Sequence, residues 1–175
     1  MNRDGVRWAK DVEPEQVGWV YDRYIPRRLV TLVAGSRGAG KTLAALWFAR
    51  EVSLQGGAVW CNTAEDALAS VIRPRLEVAG ANLSAIRVSS EPYRFPRDRE
   101  LFEKAIIGHA EEGRPDDLVI LDSLQRHVPR YQTALDAVEA MAGLAEIADD
   151  YDLAIIVVGD LLASLVPDAS CCNWP

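Results

Sequence analysis

Three cysteines, two histidines and three lysines are all that the 175-residue chain contains of these types. Cys61, Cys171 and Cys172 stand at no metal-ligand spacing and offer no disulfide framework. Cys61 therefore reads as a small buried hydrophobe. His109 has no second ligand at metal spacing and reads as a helix-face residue. There is no apolar leader and no run long enough to cross a bilayer, which favours a soluble, cytoplasmic protein with no membrane partner. Internal repeats and low-complexity tracts are missing as well. Basic residues are outnumbered, 19 against 26 acidic, for a net charge of -7. Bulk charge of this sign does not coat nucleic acid and leaves only a local basic patch for that role. What remains is an ordinary globular composition, 49% hydrophobic and 26% charged, of a length suited to one domain with one core.

Short apolar runs alternate with helical periodicity. Residues 29–34 (LVTLVA) end at glycine and predict a buried parallel strand. Residues 42–54 predict a helix with Leu43, Leu46, Trp47 and Arg50 at helical spacing, stopped by Gln55-Gly56-Gly57. Further strands are expected at 58–61, 86–89, 118–121 and 153–158. Further helices are expected after the second strand, from about 98 to 112 and from about 133 to 150. Pro74 breaks the first of these and starts a short helix at its own first turn. Thr133 and Asp136 fit a capping box at the last. Trp47, Phe48 and Trp60 are expected in the core. The alternation predicts an α/β fold with a mostly parallel five-stranded sheet and helices on both faces, in three layers.

Between the first strand and the first helix stand Gly35, Ser36, Arg37, Gly38, Ala39, Gly40, Lys41 and Thr42. They fit G-x-x-x-x-G-K-[ST], whose chance occurrence in a chain this long is roughly 1 in 100 to 1 in 200. Glycines let backbone N–H groups close on a β-phosphate, and the helix N-terminus adds positive potential. Lys41 is placed to reach the β- and γ-phosphates, and the Thr42 hydroxyl can ligate Mg²⁺. Asp122 follows an apolar strand, the second carboxylate pattern such a site needs for magnesium. Hydrolysis also needs a group to orient or deprotonate water. Glu65 and Asp66 lie just past the second strand. Thr63-x-x-Asp66 fits a capping box that would give Asp66 a structural task and leave Glu65 freer, and Glu65 fits equally well as a solvated acid in a helix's first turn.

Three stretches resemble the RecA-like hexameric ATPases, in the plasmid and phage RepA-type helicase branch. They are Val17-Gly18-Trp19 with residues 23–42 (RYIPRRLVTLVAGSRGAGKT), residues 62–82 (NTAEDALASVIRPRLEVAGAN) and residues 118–128 (LVILDSLQRHV). The resemblance covers about residues 17–159. It implies a RecA-like P-loop core over 1–160, with 1–28 as a lead-in segment and 161–175 as an irregular tail. It implies that Glu65 is the catalytic base and that the strands lie in the order 86–57–118–153–29 by first residue. It also implies ATP and Mg²⁺ as cofactors, a homo-oligomeric ring, and single-stranded DNA as a partner. Arg126, His127 and Arg130 follow the second Walker strand, where such rings place DNA-facing loops.

The chain departs from that pattern at two places. Arg28 stands where the family often has glycine. Val158 is followed by Gly159-Asp160 and then by LLASLVPDASCCNWP, which has no strand alternation, no polar γ-phosphate sensor and no basic residue to serve as an arginine finger. Asp160 is a poor sensor, because a carboxylate repels a γ-phosphate. The expectation from these residues is an early truncation or an altered reading frame, with weak Mg·ATP binding, little multiple turnover, no DNA unwinding and no ordered ring. Arg94, Arg97 and Arg99 alternate with Tyr93 and Phe95, a pattern that serves single-stranded nucleic acid or a solvated loop neutralised by Glu91, Asp98 and Glu100. The leading expectation is an ATP-binding and ATP-hydrolysing domain of a replicative helicase or related DNA-dependent ATPase. A nucleotide-binding remnant or regulatory subunit with little turnover is the alternative from another class. A small-molecule kinase shares the phosphate loop, but Glu65 and residues 72–82 argue against it.

Overall fold

The computed structural model describes residues 7–14, 16–128 and 134–160. A small hairpin of β1 (Trp19–Tyr21) and β2 (Ile25–Pro26) leads into β3 (Val30–Gly35), α1 (Lys41–Leu54) and β4 (Val59–Thr63). A π-helical stretch, Leu68–Ile72, runs into α2 (Arg73–Ala79). Then come β5 (Ile86–Ser89), α3 (Arg99–Glu111), β6 (Leu118–Asp122), the short α4 (Leu124–His127), α5 (Ala134–Asp150) and β7 (Ala154–Asp160). The five long strands form a parallel sheet ordered β3-β7-β6-β4-β5, the expected order.

The sheet is covered on both faces because its inner strands are apolar on both sides. On one face Val59, Cys61, Ile120, Ile156 and Val158 pack against Ala45, Leu46, Ala49 and Val52 of α1 and Leu76 of α2. On the other, Trp60, Val119, Leu121, Ile155 and Val157 pack against Phe102 and Ile106 of α3 and Leu144 and Ile147 of α5. Ile155, Ile156 and Val157 are fully buried. Truncating either isoleucine to alanine costs about 2–5 kcal/mol, a large share of a domain's stability.

Several local expectations needed correction. Strand β3 is an edge strand, not a buried one, and Leu32 is 52% exposed, because β7 takes the place beside it and nothing described pairs with its other side. Leu43 and Trp47 lie on the outer side of α1, whose buried face is Ala45, Leu46, Ala49, Val52 and Ser53. Trp47 packs edge-on against Tyr21 and Phe48 instead. The hairpin and α4 were not expected at all. Thr63 belongs to β4 and its hydroxyl has no hydrogen-bond partner among the described residues, so it caps nothing. Cys61 is buried, and burial pushes its thiol up to about 12. Arg28 has φ 65°, the left-handed region that favours glycine. Its N–H donates to the Leu153 carbonyl at 2.8 Å and its Nε to Asp149 Oδ1 at 2.6 Å, contacts that hold the strained residue in place. Thr133 and the tail 161–175 lie outside the described residues.

Candidate nucleotide site

The loop between β3 and α1 has Gly38 at φ 81° and Gly40 at φ 83°. A Cβ at either would meet no atom within 4 Å. Backbone conformation, not crowding, is therefore what requires glycine there. No side chain caps α1, which starts from Gly40. The N–H groups of its first turn are thus open to an anion, and the helix dipole adds positive potential. The Lys41 ammonium donates to the Ser36 carbonyl at 2.8 Å and pairs with Asp160 Oδ1 at 2.7 Å.

Sheet register gathers the acidic groups at the same edge. Asp122 is aligned with Thr63 on one side and Val158 on the other, and Gly35 with Asp160. Thr42 Oγ1 donates to Asp122 Oδ2 at 2.7 Å, joining the phosphate loop to β6. The Ala64 N–H donates to the Asp122 carbonyl at 2.7 Å, which draws the following residues towards β6. Ser123 Oγ then donates to Glu65 Oε1 at 2.5 Å. Asp66 accepts from Arg75 Nη1 at 2.8 Å, so its partner is α2 rather than a helix start of its own. Burial raises the Asp122 carboxyl above its ordinary value, the Thr42 hydrogen bond opposes this, and the charges of Glu65 and Asp66 add to the rise.

The result is a polar cleft of about 610 Å³ lined by Arg37, Lys41, Thr42, Glu65, Asp122 and Asp160, among others. Its size suits a small-molecule ligand. Thr42 and Asp122 supply a hydroxyl and a carboxylate oxygen 2.7 Å apart, hard donors of the kind magnesium takes. Among the described residues no three His, Cys, Asp or Glu form a metal cage.

Other candidates are placed differently. His127 is 1% exposed, with Nδ1 3.0 Å from the Tyr93 carbonyl, and burial lowers its pKa. A buried ring turned to a main-chain carbonyl does not face outward to DNA, which corrects that expectation. Arg126 is exposed and lines the nucleotide cleft, and Arg130 lies outside the described residues. Tyr93 and Phe95 pack on Phe102 rather than offering a stacking surface. Arg97 pairs with Asp98, and Arg99 with Glu103 and Glu146, not with Glu91 or Glu100. His109 pairs with Asp116 at 2.5 Å. Sequence reading missed Ser123, Arg75 and the lysine partner Asp160. Only Ser123 carried a local sign, since it directly follows Asp122.

A family model for an AAA domain matches residues 3–160. No curated protein matches the chain. A solved structure described as a DnaB-like replicative helicase and its interactions with primase is similar at a TM-score of 0.60 and 17% identity. The match covers 81% of this chain and 40% of that one. The shared architecture is the RecA-like P-loop fold. Among the described residues no helix is long and apolar enough to cross a membrane.

Proposed function

The chain belongs to the AAA domain family, and from that premise we propose that it binds Mg·ATP in the cleft at the strand ends and hydrolyses it as part of a helicase-type, DNA-dependent ATPase. The observation that carries this reading is the meeting of Lys41, Thr42, Asp122 and Glu65, from α1, β6 and the segment after β4, in one cleft. The backbone of residues 35–40 cradles the phosphates, and the Lys41 ammonium faces the β- and γ-groups. Thr42 and Asp122 would hold Mg²⁺, which when bound neutralises phosphate charge. Glu65 is the base. Ser123 holds one of its carboxylate oxygens, leaving the other to align a water and take its proton. As the water oxygen bonds to the γ-phosphorus, the bond from that phosphorus to the bridging oxygen breaks. ADP leaves with the electron pair. Arg126 and Arg130 are the candidate DNA contacts, in a homo-oligomeric ring with single-stranded DNA.

Lys41→Ala tests the first step. Losing a charge-assisted bond to phosphate is expected to weaken equilibrium binding of a fluorescent ATP analogue by roughly 10²-fold. Unchanged affinity in a folded variant overturns the reading. The ion pair between Lys41 and Asp160 favours a second reading, a nucleotide-binding subunit with little turnover. Single-turnover hydrolysis with and without single-stranded DNA separates the two.

A further inference from the structure

Lys41 has three N–H donors, and its side chain is only 12% exposed. One donor is taken by the Ser36 carbonyl at 2.8 Å and one by Asp160 Oδ1 at 2.7 Å. One remains. The terminal phosphate of a nucleoside diphosphate can accept that last donor with both protein contacts intact. A triphosphate asks for two donors, one to each of its outer phosphates, and the second is free only if Asp160 lets go. Asp160 is the partner able to leave. It ends β7 beside Gly35, its side chain is 45% exposed, and it lines the same cleft as Lys41. Ser36, by contrast, presents a main-chain carbonyl within the phosphate loop. The three other acids lining the cleft are held elsewhere, Asp122 by Thr42, Glu65 by Ser123 and Asp66 by Arg75. Among the described residues the Asp160 side chain has no partner other than Lys41. A carboxylate left in place would also repel the incoming γ-phosphate across a short distance.

We propose that Asp160 sets the preference of this site between nucleoside diphosphate and triphosphate, by occupying the Lys41 donor that a γ-phosphate needs. The proposal rests on the nucleotide reading above and deepens it. Asp160 acts as a competing anion, and its contact with Lys41 is exchanged for the γ-phosphate each time a triphosphate binds. Removing its charge favours the triphosphate selectively.

The test is equilibrium titration of the chain, Asp160→Asn and Asp160→Ala with a fluorescent non-hydrolysable ATP analogue and with fluorescent ADP. Mg²⁺ and salt are held fixed, and thermal melting checks that each variant is folded. Both variants are expected to bind the triphosphate about tenfold tighter or more, the change in affinity that each 1.4 kcal/mol brings. ADP affinity is expected to stay within roughly threefold, because the single remaining donor already serves it. Equal gains for both nucleotides overturn the proposal in favour of a general field effect. An unchanged or weaker triphosphate affinity also overturns it, since Asp160 then does not compete. Binding of neither nucleotide by any of the three proteins overturns both this inference and the nucleotide reading. Binding of both nucleotides with no change in preference overturns the inference alone.

Discussion

The two ends of the sheet use the same residue types for opposite purposes. At the N-terminal end of β6, the fully buried carboxylate of Asp116 meets Arg87 Nη1 at 3.0 Å and His109 Nδ1 at 2.5 Å. Next to it, Asp117 accepts from Arg27 Nη2 at 2.6 Å and from the Ala58 N–H at 2.9 Å. Each acid has partners that belong to the framework, so the cluster clamps β2, β4, β5, α3 and β6 together. At the C-terminal end of the same strand, Asp122, Glu65 and Asp160 hold a hydroxyl, a hydroxyl and a lysine. These are the groups that a metal ion, a water and a phosphate would claim. One end is saturated by protein; the other is held provisionally by groups of the site itself. In a parallel sheet the strand C-termini are where loops and helix N-termini converge, so the provisional end is the one able to take a ligand.

Substitutions at the two ends should therefore separate activity from stability. The largest effect is expected from Glu65→Gln, which keeps the size of the side chain but removes the proposed base. Hydrolysis should fall by roughly 10²–10⁴ while ATP affinity stays within a few-fold and Tm hardly moves. If Asp66→Asn shows that loss and Glu65→Gln does not, the roles of the pair are reversed. At the other end, Asp116→Ala should leave nucleotide affinity unchanged and lower stability by about 2–3 kcal/mol, because Arg87 and His109 lose a charged acceptor. Denaturant titration measures this, and a loss of nucleotide binding without a loss of stability would erase the distinction between the ends.

The smallest effect is expected from Asp122→Asn, and its sign is the informative part. Burial raises the Asp122 carboxyl in the folded chain. Its contribution to stability is therefore fully present below the unfolded carboxylate value and is lost as pH rises through the folded one. At pH 7 the aspartate is a local conflict, and the neutral isostere should be the more stable protein by about 0.5–2 kcal/mol. That advantage should vanish as pH falls below the ordinary carboxylate range, where both side chains are neutral. Added Mg·ADP should raise the Tm of the unsubstituted chain and raise that of the variant much less. A variant less stable at pH 7 would mean that the hydrogen bond from Thr42 outweighs the cost of burying the charge.

Much of this architecture could be read in advance. Residues 86–89 and 118–121 became strands almost as expected, and Pro74 does stand in the first turn of α2. Such features come from apolar runs and from proline's missing N–H, both of which act over a few residues. The readings that failed depended on neighbours. Leu32 sits in an apolar run like that of β6, yet it is half exposed because its strand lies at an edge. The apolar pattern of α1 does not say which stripe turns inward, and the sheet selected Ala45, Ala49 and Val52 over Leu43 and Trp47. His127 looked basic and accessible beside Arg126, but α4 turns its ring inwards, to the Tyr93 carbonyl.

The phosphate loop, the strand before it and the helix after it were legible because their causes are local. Gly38 and Gly40 are needed for their own φ angles, and the apolar runs are needed for their own burial. Which partner each acid holds was not legible in the same way. Thr42 meets Asp122 across 80 residues and Ser123 meets Glu65 across 58. Lys41 meets Asp160 only because β7 lies beside β3. Hydrogen bonds and ion pairs act over a few ångströms of space, whatever the separation along the chain. The pairing of charges therefore waited on the assembled sheet, whose strand order the family resemblance implied and the apolar runs alone did not.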